Sequence, residues 1–144
     1  MYTGFLHLHD ILRWLLLLTM VIAVVKYLAG WFGNQLWTKT DNILGIAATA
    51  LMDLQLITGL ALYFFLSPLT KIAFSDMGAA MKNPDLRFYA VEHLSMMLIA
   101  IVLVHIGRAK SKKDVPDASK FKVAAIYFLI GLVLILAGIP WGRL

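Results

Sequence analysis

Three side chains able to bind a metal or move a proton crowd the first turns of the chain, His7, His9 and Asp10, with the cation Arg13 beside them. A second group, Glu92 and His93, lies far along it. Two histidines on different helices at one level are what axial ligation of a single haem requires. On a regular helix His9 and Arg13 are four apart and share a face, whereas His7 points about 160° away from His9. His7 turns the same way as His9 only if the chain is still extended at Leu8. His9 is therefore the expected ligand and His7 the alternative. Arg13, one turn below His9, is placed to meet a haem propionate or Glu92.

In the second group, Glu92 and Met96 share one helical face, and His93, Met97, Ala100 and Val104 share its neighbour. Small Ala100 leaves room beside His93. Met97 offers a soft apolar wall or, ranked below a second histidine, a sixth ligand. A plainer reading of the same residues has His93 donating to a backbone carbonyl while Arg13 and Glu92 form a register-fixing pair.

Three further polar residues fall in apolar surroundings. Gln55 could hydrogen-bond a histidine ring or a quinone carbonyl. Asp53 reads as a carboxyl bonded to a neighbouring helix, with a proton relay as the sharper alternative. His105 lies twelve residues beyond His93, ~18 Å along a helix axis and about 120° around it, which places it at the opposite interface beside Arg108. No other helix offers a histidine at that level, so one haem is the limit.

The elements that carry these residues are apolar to an unusual degree. Of 144 residues 61% are hydrophobic and 15% charged, and the mean hydropathy is +0.82. Soluble domains carry about 45–50% apolar and roughly 25% charged residues, and a domain this small cannot hide the surplus in its core. A bilayer crossing takes about 20 predominantly apolar residues. Four stretches qualify: Ile11 to Phe32, Ile43 to Leu66, Phe88 to Ile106, and Val123 to Ile139. Gly33-Asn34, Ser67-Pro68, Asn83-Pro84 and Pro140 separate or end them. The expected fold is all-α, a single integral membrane domain over residues 1–144 folded as an up-down-up-down four-helix bundle.

The third connection carries Arg108, Lys110, Lys112, Lys113, Lys120 and Lys122, and short basic loops stay on the cytoplasmic side. Both termini and the connection from Ser67 to Arg87 are then expected outside, with no cleaved signal peptide. Trp31 and Trp37 fall at the inner interface and Trp141 at the outer one. Phe74, Met77 and Met81 in the outer connection suggest a short helix that lies on the membrane or caps the bundle.

The segments YTGFLHLHDILRW, LQLITGLALYF, LRFYAVEHLSMMLIAIVLVHIGR and IPW together resemble small bacterial four-span membrane proteins labelled cytochrome b-like. The resemblance runs along nearly the whole chain. It implies a bacterial inner-membrane protein holding haem b and passing electrons beside respiratory or other membrane complexes. Residue by residue it points to His7 or His9, Arg13, Gln55, Glu92 and His93.

Other functions fit the chain less well. The absence of cysteine removes disulfides, thiolate zinc sites, iron–sulfur clusters and covalent c-type haem. The net charge of +5 is explained by cytoplasmic loops, so no nucleic-acid partner is expected. No nucleophile–base–orienter set or phosphate loop is present, which favours an electron-transfer protein or subunit over a stand-alone enzyme. A non-haem assembly subunit is the main alternative. A transition-metal site at His7, His9, Glu92 and His93, or a quinone site in the same place, ranks below it.

Overall fold

The computed structural model describes residues 2–141. Helix accounts for 87% of the structure and no strand occurs among the described residues, in keeping with the all-α expectation. The elements are α1 (Tyr2–Phe32), α2 (Lys39–Ala61), α3 (Pro68–Ser75), α4 (Met77–Ala80), α5 (Pro84–Arg87), α6 (His93–Ser111) and α7 (Asp117–Gly138). π-helical turns at Leu62–Leu66 and Phe88–Glu92 prolong α2 and lead into α6. Four helical segments, Tyr2–Phe32, Lys39–Leu66, Pro84–Ser111 and Asp117–Gly138, are long and apolar enough to cross a membrane.

These four pack in a ring: α1 against α2 and α7, and α6 against α2 and α7. The core between them is aliphatic at the His9 end and aromatic at the other. Tyr27, Phe121 and Phe128 are fully enclosed, and Trp37 stacks on Tyr27 with ring centroids 5.3 Å apart. Trp37 thus belongs to the packed end of the bundle more than to a rim. Small residues set the helix spacing. A Cβ on Gly131 would lie 2.8 Å from Val104, and one on Gly30 would overlap the ring of Phe121. Gly30→Ala is accordingly expected to destabilise the α1–α7 contact by about 1–3 kcal/mol, read as a lowered thermal midpoint in detergent. Adding Phe121→Leu should restore part of the loss.

Helix ends explain several sequence signals. Asn34 adopts φ 50°, and the Gln35 amide reaches back to the Gly30 carbonyl at 3.0 Å, closing α1 with a left-handed cap. Asp41 accepts from the Thr38 amide at 2.9 Å and the Thr38 hydroxyl at 3.0 Å, starting α2. It also takes the Lys26 ammonium at 2.8 Å, tying the first connection to α1. The segment 68–87 folds as three short helices. Ala73, Ala80 and Ala90 are buried together, and α3 packs against the two π-helical turns at the ends of the second and third long segments.

Outward faces of the long helices are apolar. Leu18, Val25, Ile57, Val102 and Val133 are each more than half exposed, and this surface fits a membrane protein.

Candidate functional site

A cavity of about 380 Å³ opens within the ring, near the end covered by α3. That volume falls in the range of small-molecule sites, about 300–1,000 Å³. Its walls are mostly apolar, with Leu16, Met52, Leu56, Met97, Ile101 and Ile135 among them; His9, Asp10, Arg13, Gln55 and His93 bring polar groups to it, as do tyrosines and hydroxyls nearer α3.

His9 and His93 face this cavity from α1 and α6, their ring centroids 6.4 Å apart and their planes inclined by 72°. Two imidazole–metal bonds of about 2.0–2.1 Å on opposite sides of one ion place the ligand nitrogens about 4 Å apart and the ring centres about 6 Å apart. The spacing of the rings is therefore that of a pair able to share one ion.

Each Nδ1 meets a partner on another helix. His93 Nδ1 lies 2.7 Å from the Gly138 carbonyl, which can only accept, so Nδ1 carries the proton and Nε2 keeps its lone pair. The Gly138 carbonyl is free for this because α7 stops there. Pro140 has no amide to continue the helix, and the Leu136 carbonyl it would have bonded takes the Trp141 indole instead, at 2.8 Å. This is the structural content of the segment IPW. His9 Nδ1 lies 3.3 Å from the Thr58 hydroxyl. That hydroxyl also lies 3.1 Å from the Leu54 and Gln55 carbonyls; when its hydrogen goes to either, it accepts from His9 Nδ1–H and leaves Nε2 as a lone pair. Each histidine is oriented by a partner on a different helix.

Arg13 is 13% exposed and bonds Asp10 at 3.2 Å, while its buried Nε has no partner among the described residues. A buried guanidinium nitrogen without an acceptor is costly, and a carboxylate entering the cavity would satisfy it.

No family model, curated protein or solved structure matches this chain. Among the described residues no group of three or more His, Cys, Asp and Glu could hold a metal ion. What the cavity offers is a two-histidine arrangement, suited to an ion that brings its other ligands with it.

His9, Arg13, Gln55, His93 and Met97 all line the cavity. Gln55 donates to the His9 backbone carbonyl at 3.0 Å, steadying α1 and not the ring. Met97 contributes a wall. His7 lies outside the lining and is exposed, because α1 is already helical at Tyr2 and turns His7 away from His9. Glu92 also lies outside it, and its partner is Arg87, at 2.6 Å, where sequence had offered Arg13. The reason is the π-helical turn, which brings residues five apart onto one face. The same geometry sets the Phe88 ring 5.8 Å from His93. No role for Thr58 follows from sequence alone. Its signal was position: it sits one turn from Gln55 and Leu54, next to Gly59, where an added Cβ would come 3.3 Å from the His9 ring.

Proposed function

We propose that this chain is a b-type cytochrome of the bacterial inner membrane, an up-down-up-down bundle of four spans carrying electrons on one non-covalent haem. His9 and His93 hold the iron through their Nε2 atoms, and Arg13 pairs with a propionate. Thr58 and the Gly138 carbonyl orient the ligands, and Met97 with the aliphatic walls excludes water. The haem supplies the one-electron chemistry, and the protein supplies orientation and electrostatics.

The observation that carries this reading is the facing pair of histidines, each with Nδ1 engaged and Nε2 free, across a largely apolar cavity beside an unsatisfied arginine nitrogen. Cationic side chains at the far end, Lys110, Lys112 and Lys113, support placing that end in the cytoplasm, with both termini and the haem at the outer face. Respiratory or other membrane complexes are its electron partners in this reading.

Protein extracted in mild detergent should show a Soret band and sharp α and β bands on dithionite reduction. A pyridine haemochrome assay should give about one haem per chain. A colourless protein after expression with ample haem would overturn the proposal in favour of an assembly subunit whose histidines serve only as interhelical hydrogen-bond donors.

A further inference from the structure

A polar pair stands outside the cavity, on the outward surface between α2 and α6. His105 Nε2 bonds Asp53 Oδ1 at 2.7 Å, and the two side chains are 46% and 52% exposed. Asp53 stands fourteen residues from Lys39 and thirteen from Leu66, at the middle of the second long helical segment. Ionisable groups at that depth almost always face a bundle interior or a water-filled space. Here both face outward, with Leu56, Ile101, Val102, Ile106 and Ala109 around them. Asp53 Oδ2 and His105 Nδ1 make no hydrogen bond among the described residues, and hydrocarbon cannot supply one.

Two matching stripes frame the pair. Ile46, Ala50, Asp53 and Ile57 follow one exposed face of α2, and Leu98, Val102, His105 and Ala109 follow one exposed face of α6, both at spacings of four, three and four. Gly45 lies against Arg108 and Asp53 against His105, so the two helices run in opposite directions. Ala50 and Ala109 therefore fall on the same side of the pair, one turn nearer the Arg108 end. The face offers a polar centre and, beside it, two side chains small enough for close helix approach.

The polar atoms left over on this face complement each other. A two-fold axis along the membrane normal inserts both copies in one direction and returns every residue to its own depth. It sets α2 of each copy opposite α6 of the other, so Asp53 Oδ2 meets the partner copy's His105 Nδ1, twice. Each contact takes one proton, held on the ring as imidazolium facing a carboxylate or on Oδ2 as a carboxyl facing a neutral ring. The same atoms meet either way, and the four groups together carry no net charge.

We propose that the chain forms a two-fold dimer through α2 and α6, closed by reciprocal Asp53–His105 contacts and by close approach at Ala50 and Ala109. The dimer rests on the membrane placement of the bundle and is independent of the haem.

The test is co-expression of two copies with different affinity tags, extraction in mild detergent, and measurement of the fraction captured together. The parent should co-purify and sediment at twice the mass of one chain. Asp53→Ala and His105→Ala, each expressed alone in both tags, should weaken association about tenfold. Co-expressed, these two variants should bind one another more tightly than either binds itself, because only the mixed dimer sets an Asp53 opposite a His105. A bond within one chain cannot produce that pattern. Ala50→Leu leaves the membrane-facing surface apolar and should be monomeric. Val133→Leu, on the outward face of α7, should dimerise as the parent does. A monomeric parent, single variants that dimerise like the parent, or a mixture no tighter than its components overturns the proposal. Protein recovered in the soluble fraction without detergent rejects the membrane placement and the dimer with it, whereas a detergent-extracted monomer rejects the dimer alone.

Discussion

On the proposed haem reading, alanine at position 93 should remove the haem absorption from the purified protein while leaving its far-ultraviolet helical signal unchanged. Among the described residues the His93 side chain makes one hydrogen bond, to the Gly138 carbonyl, and its loss costs about 1–3 kcal/mol, which a packed four-helix ring can absorb. Its loss as a ligand has no such remedy, because Met97 on the same face is a wall residue and His7 lies outside the cavity. Haem content should fall to background in His93→Ala and His9→Ala and stay at the parent level in His7→Ala. Thr58→Val keeps the ligand but frees the His9 ring, and should weaken haem retention about 10–100-fold, the usual effect of removing a ligand's orienting partner. A full Soret band in His93→Ala would eliminate that histidine as a ligand.

Asp41→Ala should be among the most destabilising single changes in the chain. The carboxylate is wholly buried and holds the Thr38 amide, the Thr38 hydroxyl and the Lys26 ammonium together. The Asp41 backbone carbonyl, 2.8 Å from the Tyr27 hydroxyl, anchors the aromatic end of the core. Removing a helix cap costs about 0.5–2 kcal/mol. Removing one partner of a buried ion pair costs about 3–5 kcal/mol, discounted here because Lys26 is 31% exposed. Arg108, buried with two guanidinium nitrogens unpaired among the described residues, aggravates the loss of negative charge at this end. A loss of about 2–4 kcal/mol is expected by thermal or denaturant unfolding in detergent. Asp41→Asn keeps a capping acceptor and should lose less. If the two variants unfold alike, the charge on Asp41 contributes nothing.

The large features were legible because each follows from one period or one cost. Apolar runs of bilayer length marked all four long helices, and helical spacing alone put His9 and Arg13 on one face and His7 on another. What sequence could not supply was the partner of each polar group, since partners come from other helices. Glu92 was offered to Arg13, yet a π-helical turn hands it to Arg87, and no residue type announces such a turn. His105 was expected beside Arg108 at an interface, whereas it reaches Asp53 on α2. That contact depends on how two helices are set against each other. The Gly138 carbonyl is a backbone atom, and only the proline two residues on hinted that it would be free.

The two π-helical turns have a consequence for how the chain can change. Each is an α-helix with one residue in excess, set between the histidine level and the segment 68–87. Deleting a residue there, such as Val91, would relax the turn to an ordinary helix. Because the wider turn absorbs the extra residue, the residues before it would keep their phase, as would His93 and the remainder of α6. Single deletions at these turns thus leave both the segment 68–87 and the histidine level in register. Descendants of this chain can therefore lose a residue at either turn while inheriting an unchanged interior.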